Sequence, residues 1–161
     1  FLSKVRQVVE GEIRQEFQGR GQSLDQAECL RMARDKTGPL FAFVAEVCGG
    51  ADISRRQALT EAGYLIGAAY QLADDLIDII GLEDKAGKTL GTDAARGKFT
   101  LPQAGLDGPA RTMKLIGDML SAAVGEVQAD IAACQGLQAF IRQDLVPVFV
   151  GQGLNIKGYI S

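Results

Sequence analysis

The sequence predicts an all-α domain, and three observations carry the prediction. Apolar residues recur every three or four positions through most of the chain, and glycine and proline fall near the ends of those periodic stretches. No strand pair, fixed-period repeat or low-complexity tract interrupts them. At 161 residues with 47% hydrophobic side chains, the chain reads as a single domain, 1–161, able to bury a real core.

Each element has its own warrant. Leu2 to Gln18 places Leu2, Val5, Val8, Val9 and Ile13 among charges, which predicts a one-sided helix ended by the "GRGQS" turn. The chain opens at Phe1 as if in mid-helix, as expected of part of something longer. Ser23 is the expected N-cap of a helix over Leu24–Ala33, because its hydroxyl can accept a free backbone N–H and Gln26 stands where a capping box wants it. "GPLFAFVAEVCGG", Gly38 to Gly50, predicts a separate apolar helix with Pro39 in its first turn and a glycine pair at its end. Ser54 opens a long helix to about Ile80, and a polar, glycine-rich loop follows, "GLEDKAGKTLGTDAARGKFTLP", expected to be ordered by function. Pro109 starts a helix to about Cys134, and Leu137 to Phe149, broken near Pro147, is the last.

Composition removes several functions. With 17 basic and 20 acidic side chains and a net charge of -3, no basic field invites nucleic acid. The chain has no histidine, which excludes catalysis through imidazole and His-ligated metal sites. Cys29, Cys48 and Cys134 are odd in number, far apart and set in apolar surroundings, which suits packing in a reducing cytoplasm better than a disulfide framework. No apolar run approaches the roughly 18 to 20 residues of a membrane span, and no signal peptide opens the chain, so a soluble protein is expected.

One stretch breaks the pattern of a buried helix. "YQLADDLIDIIG", Tyr70 to Gly81, sets three aspartates among leucines and isoleucines. Residues three and four apart on a helix share a face, with Cβ atoms roughly 5 to 6 Å apart, so Gln71, Asp74, Asp75 and Asp78 form one polar stripe. Gly63 and Gly67 extend it, leaving room beside it, while Leu65, Ile66, Leu72, Leu76, Ile79 and Ile80 occupy the other sides. Like charges this close call for something positive over them, or else for a solvent-exposed acidic face. The neighbouring loop holds Lys85, Lys88, Arg96 and Lys98 among glycines, a mixture that lets backbone and ammonium groups approach an anion. Hard cations such as Mg²⁺ take carboxylate oxygens and are often completed by substrate phosphates, so stripe and loop together suggest a metal-bridged phosphate ester site. "DKT", Asp35 to Thr37, offers a further ammonium and hydroxyl at an expected helix start, with an ordinary turn as the alternative.

Tyr70 to Pro102, "YQLADDLIDIIGLEDKAGKTLGTDAARGKFTLP", resembles the second aspartate-rich motif of the trans-polyprenyl diphosphate synthases: aromatic-Gln, Asp-Asp-x-x-Asp, Gly-Lys, Gly-x-Asp and Gly-Lys-x-Thr-Leu-Pro, in order. Tyr70 stands where phenylalanine is commoner. "VVEGEIRQEF" and "KTGPLF" are similar to the family's Glu-rich helix and Lys-Thr element, so the likeness covers at least Val8 to Pro102.

The resemblance implies a helical bundle of the isoprenoid synthase type and Mg²⁺-dependent condensation of isopentenyl diphosphate with an allylic diphosphate. By position, Asp74 would be the principal metal ligand, with Asp75 and Asp78 ligating directly or through water. Lys36 and Lys88 would clamp the allylic diphosphate. Thr37 and Gln71 would steady the developing cation, and Lys98 would reach phosphate or fix the loop. Phe41, Phe43 and Val44 would wall the growing prenyl chain. A homodimer, or a complementing subunit, is the expected partnership.

The family also carries a first aspartate-rich motif on an earlier helix, and this chain has no second Asp-Asp-x-x-Asp. The chain is therefore expected to be the C-terminal half of a synthase, a small subunit of a heteromeric one, or a non-catalytic relative that binds rather than catalyses. Terpene cyclases and squalene-type synthases share the chemistry but usually carry a different second metal motif and lack the Gly-Lys-x-Thr-Leu-Pro tail. Product length in the family depends largely on residues before the first motif.

Overall fold

A computed structural model of the chain describes residues 1–18, 24–81, 84, 87, 89–95, 99–156 and 158. The fold is all-α: α1 (Leu2–Gln18), α2 (Gln26–Cys48), α3 (Ile53–Ile80), the single turn α4 (Thr92–Ala95), α5 (Gly108–Glu126), α6 (Ile131–Phe140) and α7 (Val146–Gly151). A 3₁₀ turn at Leu101–Gln103 leads into α5, and a π turn at Ile141–Leu145 joins α6 to α7.

The middle helix, α3, organises the rest. It starts at Asp52, whose side chain accepts the Arg55 N–H at 3.0 Å, and it buries Leu72, Leu76 and Ile77 almost completely against α5 residues Ile116 and Leu120. On its other side α2 runs antiparallel to it with the backbones in contact. A Cβ on Gly67 would lie 2.6 Å from the Gly38 Cα, and one on Gly63 would lie 2.6 Å from the Ala42 Cα. The room that these glycines leave beside the aspartate stripe is thus filled by α2. In turn α1 lies antiparallel on α2, with Gly11 against the Asp35 carbonyl and the Phe1 ring tilted against Phe43 at 5.4 Å.

Three element boundaries differ from the sequence expectation. The two helices expected over Leu24–Ala33 and Gly38–Gly50 are one, with Pro39 in its interior. A proline there removes a ladder bond and crowds the residue before it, but that residue is Gly38, whose missing Cβ relieves the clash. Gly11 and Gly67 also press α1 and α3 onto this step from two sides. Ser23 lies outside the described residues, and Asp25 caps α2 by accepting the Glu28 N–H at 2.8 Å. The helix expected from Pro109 to Cys134 ends at Glu126, and α6 starts afresh where Asp130 accepts the Ala133 N–H. The break expected near Pro147 is the π turn just before it.

Candidate functional site

The close α2–α3 seam decides which polar groups meet. One turn from the Gly38–Gly67 contact, Thr37 Oγ1 donates to Gln71 Oε1 at 2.7 Å, and Gln71 Nε2 donates to Asp75 Oδ1 at 2.8 Å. Lys36 and Thr37, expected at a helix start, stand instead in the middle of α2, where the backbone N–H groups are taken up by the helix itself. The Lys36 ammonium is held from α1, by Glu12 at 3.3 Å and Gln15 at 3.3 Å. Neither α1 residue stood out in the sequence, where only the Glu-rich character of the helix was visible.

The aspartate stripe is largely buried rather than a solvent-exposed acidic face. Gln71, Asp75 and Asp78 are buried, and Asp74 is half-buried. Phe99, Thr100 and Leu101 border the same tight crevice as Gln71 and Asp75. Burial pushes the Asp75 carboxyl up to about 7; the Gln71 hydrogen bond pulls the other way, and the nearby Asp93 and Asp74 charges add to the rise. Asp78 Oδ2 accepts the Asp93 N–H at 3.2 Å and its carbonyl accepts the Gly91 N–H at 2.9 Å, so this aspartate ties the loop back onto α3. Gly91 has a φ of 71°, which allows that reversal.

Of the expected site residues, the structure brings Lys36, Thr37, Gln71, Asp74, Asp75 and Asp78 to the facing stretches of α2 and α3. Lys88 and Lys98 lie outside the described residues, as do Lys85 and Arg96. Among the described residues, no three acidic or thiol groups converge tightly enough to hold an ion by themselves. The donor set nevertheless fits a hard cation of the Mg²⁺ kind, which takes one or two carboxylates and leaves its other positions to water and phosphate. Crowding of Asp74 and Asp93 around Asp75 is the electrostatic condition that a bound cation relieves.

Below the polar groups lies an apolar cavity of about 680 Å³ between α2, α3 and α6. Phe41 and Val44 line it, together with Leu59, Ile66, Leu137 and Phe140. Phe43, expected in the same wall, faces Phe1 on α1 instead, because it lies about 200° round α2 from Phe41. On α2 the lining residues Phe41, Val44 and Cys48 continue the line of Thr37, while on α3 they occupy the face beside the aspartate stripe. Polar groups and apolar hollow therefore follow one another along the same pair of helices.

Residues 1–106 match the polyprenyl synthetase family. A nonaprenyl diphosphate synthase of Mycobacterium tuberculosis is 37% identical over 100 residues, 60% of this chain and 30% of that protein. A farnesyl diphosphate synthase of Geobacillus stearothermophilus is 34% identical over 90 residues, 54% of this chain and 30% of that protein. In fold, 94% of the chain superimposes on 57% of a Caulobacter crescentus polyprenyl synthase solved with calcium and isoprenyl diphosphate, with a TM-score of 0.78 at 24% identity. The matched region is thus less than a third of these relatives' length. Because the match covers α1, α2 and α3 with the whole aspartate stripe, the chain belongs to the polyprenyl synthetase family.

Proposed function

We propose that this chain supplies one half of the active site of a trans-prenyltransferase, the half that holds the diphosphate of an allylic substrate through Mg²⁺ while isopentenyl diphosphate is added to it. The observation that carries the reading is the chain Thr37–Gln71–Asp75, hydrogen-bonded beside Asp74 and leading along α2 into an apolar cavity. Mg²⁺ bound there would offset the charge of the departing diphosphate.

The residues of the chain have separable parts. Asp74, the most exposed of the stripe, is the lead ligand, with Asp75 behind it and Asp78 fixing the loop. Lys36, braced by Glu12 and Gln15, places an ammonium for the diphosphate, and Lys88 and Lys98 of the loop would add to it. Thr37 commits its proton to Gln71, which leaves its lone pairs as the negative end of a dipole that can face a developing carbocation. The cavity takes the prenyl chain, its volume falling within the about 300 to 1,000 Å³ of small-molecule sites.

The opposing half comes from more of the same polypeptide, a second copy or a complementing subunit. The apolar skin left on α1 and α2, including Leu2, Phe17, Val44 and Val47, suits such a partner. Among the described residues no helix is long and apolar enough to cross a membrane, and the cysteines are unpaired, in keeping with action in the cytoplasm. If the chain only binds and does not catalyse, the same metal and diphosphate contacts serve a regulatory subunit.

Calorimetric titration with farnesyl diphosphate tests the reading. Binding should tighten by about tenfold or more when Mg²⁺ is added, and Asp74→Ala should lose that gain while keeping its fold. Equal affinity with and without Mg²⁺ in the unaltered protein would overturn the metal-bridged half-site.

A further inference from the structure

Lys36 enters the site from α2, yet α1 decides what its ammonium touches. A Cβ on Gly11 would lie 2.9 Å from the Asp35 carbonyl carbon and oxygen and 3.1 Å from the Lys36 nitrogen, so glycine is what lets α1 come this close. Arg14 pins the approach by pairing with Asp35 at 2.5 Å. Glu12 and Gln15, three residues apart and hence on one face of α1, are thereby brought to Lys36. Both stand at 3.3 Å from Lys36 Nζ, longer than the about 2.7 to 2.9 Å of a tight charge-assisted hydrogen bond. Their settings differ. Gln15 is 8% exposed and borders the crevice of Gln71 and Asp75, whereas the Glu12 side chain is 46% exposed.

We infer that Glu12 is a displaceable counter-charge for Lys36, given up when a diphosphate binds, and that Gln15 is the fixed hold on the same ammonium. The inference rests on the reading of Lys36 as a diphosphate-binding residue. An ammonium whose side chain is only 28% exposed needs an opposite charge beside it before any ligand arrives, and Glu12 supplies one. A buried, tight pair would keep Lys36 from a ligand. A partly exposed pair at 3.3 Å is instead weak, so a diphosphate with several charges can take the place of Glu12 while water takes up the released carboxylate. Gln15 brings no charge to repel the incoming anion, and burial keeps its amide from turning away, so it holds Lys36 at the crevice through the exchange. Both are positioning residues, and they act on Lys36 in opposite directions. Glu12 competes with the ligand for the ammonium, and Gln15 presents the ammonium to it.

The test is a pair of substitutions read by calorimetric titration with farnesyl diphosphate in Mg²⁺, with helicity and melting followed throughout. Glu12→Gln removes the charge but keeps an oxygen for Lys36, and should tighten binding by about three- to tenfold, the gain appearing as slower dissociation. Gln15→Met, similar in length but without an acceptor for the ammonium, should weaken binding by about tenfold. Lys36→Met should lower affinity by itself, and neither further substitution should then change it, because both act through that ammonium. Glu12→Gln that binds no more tightly than the unaltered protein overturns the counter-charge and leaves Glu12 a brace. A gain that persists beside Lys36→Met overturns it too, since Glu12 would then act by general repulsion. A folded Gln15→Met protein with undiminished affinity overturns the hold. If Lys36→Met alone leaves affinity unchanged, the diphosphate role of Lys36 itself falls.

Discussion

The two neighbours that α2 meets on its α3 and α6 sides are held in opposite ways. Against α3 it has no gap at all, with Gly38 and Ala42 seated on Gly67 and Gly63 backbone to backbone. Against α6 it stands off across about 680 Å³ of apolar space, bridged from α3 by Arg55 and Asp130. The contrast separates two tasks. Hydroxyl, amide and carboxylate must meet within hydrogen-bonding distance for the polar end to be set in place, and only a seam without side chains holds two helices that firmly. A flexible apolar ligand needs room, and the fold leaves it where no polar group has to be aimed.

The largest effect should appear at the seam's polar end. Asp75 is raised from its ordinary 3.8 to about 7, so the native state holds this proton more tightly than the unfolded chain does. Stability from the neutral carboxyl is whole below about pH 4 and is lost as the pH rises through 7, on the order of 4 kcal/mol in all at 1.36 kcal/mol per unit. Denaturant melts across that range in metal-free buffer should show the fall. Asp75→Asn, which keeps an oxygen for the Gln71 amide, should flatten it; an equally steep fall in that variant would assign it to another group.

Next in size is the seam itself. Gly67→Ala places a methyl 2.6 Å from the Gly38 Cα, where backbone cannot yield, and should cost about 1 to 3 kcal/mol despite alanine's better helix propensity. It should also part Thr37 from Gln71 and weaken farnesyl diphosphate binding. Smallest and opposite in sign is the same exchange on α6. A Cβ on Gly136 meets nothing within 4 Å, so Gly136→Ala should stabilise by about 0.5 to 1 kcal/mol in the same melts. Equal signs for these two alanines would erase the distinction between seam and hollow.

Legibility followed the range of the interactions involved. The stripe of Gln71, Asp74, Asp75 and Asp78 was readable because helical spacing is local, and so was the all-α class. Burial of the stripe was not, since the crevice at Asp75 is bordered by Gln15 from α1 and by Phe99 and Leu101 from far along the chain. Gly63 and Gly67 could be read as space but not as the seat of α2, and the proline inside α2 follows Gly38, whose missing Cβ relieves the clash and which is itself pressed by Gly67. Asp130 before an apolar run was a readable helix start, masked by the unbroken apolar pattern ahead of it. Lys88 and Lys98, expected in the site from their motif, lie outside the described residues.

The seam has a consequence for how such a chain can evolve. Its two contacts, Gly38 on Gly67 and Ala42 on Gly63, are four residues apart on both helices, like two teeth of a key that admit one alignment. A one-residue insertion between Gly38 and Ala42 would turn one tooth by about 100° relative to the other, so that the two could no longer seat together. Change is thereby steered toward α6, where residues such as Gly136 and Leu137 can be exchanged to reshape the hollow while Thr37, Gln71 and Asp75 keep their places.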